Sequence, residues 1–77
     1  MMTKKYYVSM YLLKGDEMTF STDSLENAVG MFGQSIDLLH PCDLCSGETG
    51  EVLMSWRTDQ AYIEPEMMVY LFENMIE

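Results

Sequence analysis

The sequence predicts an α+β domain of order ββαββα: a two-layer sandwich with a four-stranded antiparallel sheet and two helices on one face. Three observations lead there. Residues 4–13 and 51–57 alternate apolar and polar side chains, and each run is followed by a turn and a second short run, as in a hairpin. Residues 25–39 carry apolar side chains at helical spacing, and so does the stretch after Pro65. A helix stripe and a half-apolar sheet each need a partner layer, and one sheet covered by two helices is the simplest way to supply it.

Taking the elements in order, Tyr6, Val8, Met10 and Leu12 share one face of the first strand, with Tyr7, Ser9, Tyr11 and Leu13 on the other. Lys14-Gly15-Asp16-Glu17 reads as a turn in which Gly15 supplies a positive φ. Met18-Thr19-Phe20-Ser21 returns antiparallel with Met18 and Phe20 inward. Asp23-Ser24-Leu25-Glu26 resembles a capping box in which the Asp23 carboxylate accepts from the Glu26 backbone N–H. Leu25, Ala28, Val29, Phe32, Ile36 and Leu39 then form one helical stripe, and Pro41 ends the helix. Residues 42–50 read as a loop by their Gly, Ser and Thr content. In the second hairpin Val52, Met54 and Trp56 share one face, while Leu53, Ser55 and Arg57 share the other. Thr58-Asp59-Gln60 is the turn and residues 61–64 the return. Pro65 suits a first helical position, where its missing N–H is no loss. Met67, Met68, Leu71, Phe72, Met75 and Ile76 form the apolar side of the last helix; Tyr70, Glu73, Asn74 and Glu77 face water.

The 77 residues support one small domain, with 13 acidic side chains against 4 Lys plus Arg and a net charge of −9. At 48% hydrophobic and 12% aromatic the chain is too apolar for disorder. Such a small domain buries only about 60% of its unfolded surface, so it is marginally stable. Direct nucleic-acid binding is disfavoured, because affinity for phosphates rests on Lys and Arg. A basic protein surface is the better electrostatic match. Lys4-Lys5 before an eight-residue apolar run superficially suggests a signal peptide. The run carries three tyrosines, however, and ends in Lys14-Gly15-Asp16-Glu17 without a small-residue cleavage site. No stretch reaches the roughly 20 apolar residues of a membrane span. The protein is therefore expected to be cytoplasmic and to have no membrane partner.

His40-Pro41-Cys42-Asp43-Leu44-Cys45 is the one segment with ligand chemistry. A tight turn can bring two thiolates to one zinc, but His40, Cys42 and Cys45 supply three ligands and a closed site needs four. Asp43 or a second chain would have to complete it. A redox pair belongs at a helix N-terminus, where the dipole lowers the thiol pKa, and this pair follows a helix C-terminus. Reduced loop cysteines and no cofactor are the expectation. Nothing in the spacing of the acids selects a catalytic pair, and no nucleophile elbow or phosphate-cradling loop is present. An enzyme is not expected.

Glu26, Gly30, Gly33 and Asp37 fall along one flank of the first helix. Two helical glycines cost about 1 kcal/mol each against alanine, so they read first as a site of close packing and second as a flat acidic groove. The outer sheet face, with Tyr7, Ser9, Tyr11, Leu53, Ser55 and Arg57, is half apolar and a candidate interface. Nine methionines suit either a soft core or a recognition patch around Met67, Met68 and Met75. As a functional class, small acidic proteins of this kind resemble the phage-encoded inhibitors of host defence nucleases, anti-CRISPR proteins among them. That likeness rests on length, charge and scattered acids. It implies a protein-binding inhibitor, in the extreme a DNA mimic, that occludes a basic nucleic-acid-binding surface of a larger partner. Tyr7, Tyr11, Glu26, Asp37 and Arg57 are the contact candidates. The alternatives are a metal-stabilised or redox-responsive accessory domain on His40, Cys42 and Cys45, or an antitoxin-like homodimer joined through the outer sheet face.

Overall fold

A computed structural model describes residues 4–75, the side chain of Met75 excepted. Strand β1 is Tyr6–Tyr11, β2 Glu17–Thr22, β3 Cys42–Ser46, β4 Val52–Arg57 and β5 Gln60–Ile63; the helices are α1, Leu25–Asp37, and α2, Pro65–Met75. All five strands join one antiparallel sheet in the order β2-β1-β3-β4-β5. The two hairpins occur as the alternation predicts. The expected four-stranded sheet is corrected to five, because Cys42–Ser46 is a strand and not a loop. It enters between the hairpins, pairing Val8 with Leu44 on one side and Leu44 with Met54 on the other.

The core is one cluster of Val8, Ala28, Phe32, Cys42, Leu44, Met54 and Met67. Val8, Leu44 and Met54 are register partners across three strands, so one sheet face builds it. Both helices contribute: Ala28 and Phe32 from α1, Met67 from α2. Several side chains depart from expectation. Leu53, expected outward, packs against the core, because the register slips between β3 and β4 there: Leu44 pairs with Met54 but Cys45 with Val52. An extra residue at such a bulge turns the strand and re-aims its side chains. Met18 and Phe20 pair with Met10 and Val8 on the core side, yet stay 54% and 50% exposed, because open grooves remain between α1 and β2. On α2, Met67 is buried and Tyr70 and Leu71 pack on the core, whereas Met68 and Phe72 are exposed. Ile76, Glu77 and the Met75 side chain lie outside the described residues.

Helix α1 starts one residue later than expected. Ser24 is the N-cap, its Oγ accepting from the Asn27 N–H at 3.1 Å. Asp23 instead accepts from the Lys5 N–H at 3.1 Å and pairs with Lys4 at 3.6 Å, pinning the helix start to β1. The helix also ends earlier than expected. The Leu39 N–H donates to Ile36 O at 2.8 Å and the His40 N–H to Ser35 O at 3.0 Å, a Schellman closure. Leu39 therefore leaves the predicted stripe: it holds the left-handed position at φ 62° and is 70% exposed. That position favours glycine, since a Cβ there crowds the following carbonyl by about 1–2 kcal/mol. Leu39→Gly is accordingly expected to raise stability by about 1 kcal/mol, read as a higher urea midpoint at unchanged slope. An unchanged midpoint would show that the exposed leucine compensates its own strain.

Candidate functional site

The sheet face turned away from the core carries Tyr7, Ser9, Tyr11, Asp43, Ser55, Arg57 and Tyr62. The register places Asp43 of the central strand directly between Ser9 and Ser55, with Tyr11 and Arg57 one step along the diagonals. The Tyr11 hydroxyl donates to Asp43 Oδ2 at 2.8 Å. The Arg57 guanidinium forks onto the same carboxylate, Nη1 to Oδ1 at 3.1 Å and Nη2 to Oδ2 at 3.4 Å. Arg57 Nη1 also donates to the carbonyls of Trp56 at 2.9 Å and Cys42 at 3.3 Å. The guanidinium carbon lies 5.4 Å from the Tyr11 ring centroid, within cation–π range. A bidentate, charge-assisted pair fixes orientation as well as charge. Tyr11 on β1 and Arg57 on β4 are thus locked to each other across the intervening strand β3.

The electrostatics follow from this geometry. The hydrogen bond to Asp43, then burial, pushes the Tyr11 phenol up to about 12. Burial by itself pushes the Asp43 carboxyl up, but the hydrogen bonds from Arg57, Ser55 and Tyr11 and the guanidinium charge outweigh it and hold the carboxyl low. The hydrogen bond to Asp43 raises Arg57, so its charge is permanent.

Of the contact candidates, the structure brings Tyr11 and Arg57 together through Asp43. Tyr7 lies further along the same face, opposite Cys45. Glu26 and Asp37 are elsewhere. Glu26 lines a groove between α1 and β2 with Phe20, Thr22, Gly30 and Met31, and Asp37 is the last residue of α1. The close packing expected at Gly30 and Gly33 is absent, since a Cβ at either would meet nothing within 4 Å. The outer face is also more polar than expected, with Leu53 removed from it and a carboxylate at its centre.

Cys42 and Cys45 lie on opposite faces of β3, because that strand keeps unbroken register with β1 from Cys42 to Ser46. The turn that would have aimed both sulfurs at one ion is replaced by a strand. Cys42 is fully buried and its thiol donates to Phe32 O at 3.8 Å. Burial pushes the Cys42 thiol up to about 11 and raises Cys45 as well, so both hold their protons at neutral pH. No group of three His, Cys, Asp or Glu side chains suited to a metal occurs among the described residues. His40 sits beyond the helix end with its N–H in the Schellman closure.

Sequence reasoning weighed Asp43 only as a fourth metal ligand and so missed the residue that organises the face. The signal was available in the alternation Cys42, Leu44 inward and Asp43, Cys45 outward, once cysteine is counted as a small hydrophobe. Among the described residues no helix is long and apolar enough to cross a membrane. Comparison with family models, curated proteins and solved structures finds no match for this chain.

Proposed function

We propose that this chain is a non-enzymatic binding module that covers a basic, nucleic-acid-binding surface of a larger protein. In this reading the helices form one layer and the opposite sheet face is the contact surface. The observation that carries it is the locked Tyr11–Asp43–Arg57 cluster with exposed acids near both its ends. Tyr and Arg are the side chains that most often anchor interfaces, and holding them in place beforehand lowers the entropy lost on binding. Asp16 and Glu17 adjoin the Tyr11 end of β1, Asp59 occupies the β4–β5 turn beside Arg57, and all three are exposed. Two of the four basic side chains are already matched, Arg57 by Asp43 and Lys4 by Asp23. A net charge of −9 steers a cationic partner towards the molecule, and the tyrosines supply the desolvated anchors. Binding there would exclude the partner's nucleic acid by occupation and by charge.

The test is capture of proteins from nuclease-treated lysate on immobilised chain, with low-salt and high-salt washes, followed by competition with duplex DNA or RNA. The expected partner binds nucleic acid, is released as salt approaches about 1 M, and is displaced by nucleic acid. Tyr11→Ala is expected to weaken capture about tenfold or more, the loss of a typical anchor. A captured partner that still binds nucleic acid while held, or that ignores Tyr11→Ala, would overturn the reading.

A further inference from the structure

We infer that β2 is a self-association edge, through which two copies of this chain pair antiparallel about a two-fold axis at Thr19 to form one ten-stranded sheet. The two edges of the sheet are guarded very differently. β5 has four residues and is followed, after Glu64, by Pro65. β2 has six, Glu17-Met18-Thr19-Phe20-Ser21-Thr22, with no proline, glycine or lysine, and pairs with β1 without a bulge. Natural edges are normally blunted by such devices, because unpaired backbone N–H and C=O groups template another strand. Beside this edge lies the apolar groove floored by Val8, Met10, Met18 and Phe20 and walled by Met31 of α1.

A second copy fits because the strand is self-complementary. With the axis at Thr19, the two threonines face each other on the outer surface. Met18 then lies opposite Phe20 of the other copy twice, a sulfur–aromatic pairing on the core side. A register shifted to centre on Phe20 would set Glu17 against the other copy's Asp23, so like charge selects the first. That register also carries Asp16 and Glu17 towards the start of β1 in the other copy, where Lys5 supplies the opposite charge. Because α1 rests over β1, three strand spacings of about 4.8 Å would separate the two α1 helices by about 14 Å. Direct helix packing needs about 8–10 Å, so a channel remains, and Met18, Phe20 and Met31 from both copies fill it. This association is independent of any partner on the outer face.

Light scattering and sedimentation across a concentration series are expected to give twice the 8.9 kDa chain mass for the natural sequence and one chain mass for Phe20→Lys. Thr19→Cys places a cysteine on the axis, where paired Cα atoms about 5 Å apart suit a disulfide. Under mild oxidation it should cross-link far faster than Asp59→Cys or the natural chain, and this arm stands even if Phe20→Lys fails to fold. A natural chain that stays monomeric to about 1 mM overturns the inference and leaves β2 open to a strand of another protein. A dimer indifferent to Phe20→Lys, with Thr19→Cys cross-linking no faster than Asp59→Cys, overturns it equally by placing the contact elsewhere, for instance at exposed Phe72.

Discussion

Gly47→Ala is expected to lower the melting temperature by about 12–24 °C, the largest effect of any glycine-to-alanine change in this chain. Gly47 follows β3 and lies against the start of β1. Its N–H donates to Lys5 O at 2.6 Å, and a Cβ built there would overlap the Lys4 carbonyl and press on the Tyr7 ring at 3.0 Å. The overlapped atoms at Lys4 are backbone, so no rotamer change relieves them. Room for the methyl comes only from parting β1 and β3 at that end, which sacrifices the hydrogen bond and the docking of Tyr7. Overpacking of this kind plus a lost hydrogen bond amounts to about 3 kcal/mol. A domain of this size holds only about 5 kcal/mol in total and shifts about 4–8 °C per kcal/mol. Thermal unfolding followed by circular dichroism measures it. A melting point within a few degrees of the natural chain would mean the start of β1 is free to move.

Asp43→Asn comes second in size, and its signature lies in pH. In the folded chain the Asp43 carboxyl is held below its ordinary value, so its contribution is complete above about pH 4 and is lost as pH falls through the lowered value. Tyr11 is raised to about 12, so its contribution is complete below about pH 10 and fades between there and 12. One carboxylate therefore shapes both limbs of the stability curve. The asparagine variant is expected to lose about 2 kcal/mol near neutrality, the usual worth of hydrogen bonds to a charged group. It should also flatten both limbs and return the Tyr11 phenol towards 10, seen in the ultraviolet titration of tyrosine. If the acid limb persists unchanged in the variant, carboxyl groups other than Asp43 produce it.

The legible parts of this fold are those written in local periodicity. The alternation around Val8 and around Met54, the stripe from Leu25 to Ile36 and the glycine at the first turn each identify their element, and Gly15 does adopt φ 84°. Strand β3 is hidden because the Gly, Ser and Thr that follow it make the whole stretch read as a loop, and its cysteines suggest ligands before they suggest core. Once that strand is read as a loop, Asp43 loses its place between Ser9 and Ser55, and the link between Tyr11 and Arg57 cannot be drawn. The two outer members of the cluster were nonetheless found, since tyrosine and arginine on the polar side of a strand stand out from the sequence. The exposure of Phe20 and Leu39 was beyond reach for a different reason: which strands a helix covers, and where a chain turns left-handed, are set by packing. The same holds for Gly30 and Gly33, whose open surroundings no pattern along the chain reveals.

Among the described residues, strand β3 is also the only bridge within the sheet between the β1–β2 and β4–β5 hairpins, which share no rung of hydrogen bonds with each other. Removing it would leave two separate two-stranded ribbons in place of a smaller sheet, and a lone ribbon is barely stable in water. The all-or-none character of unfolding in this chain therefore runs through Cys42–Ser46, the stretch that least resembles a strand.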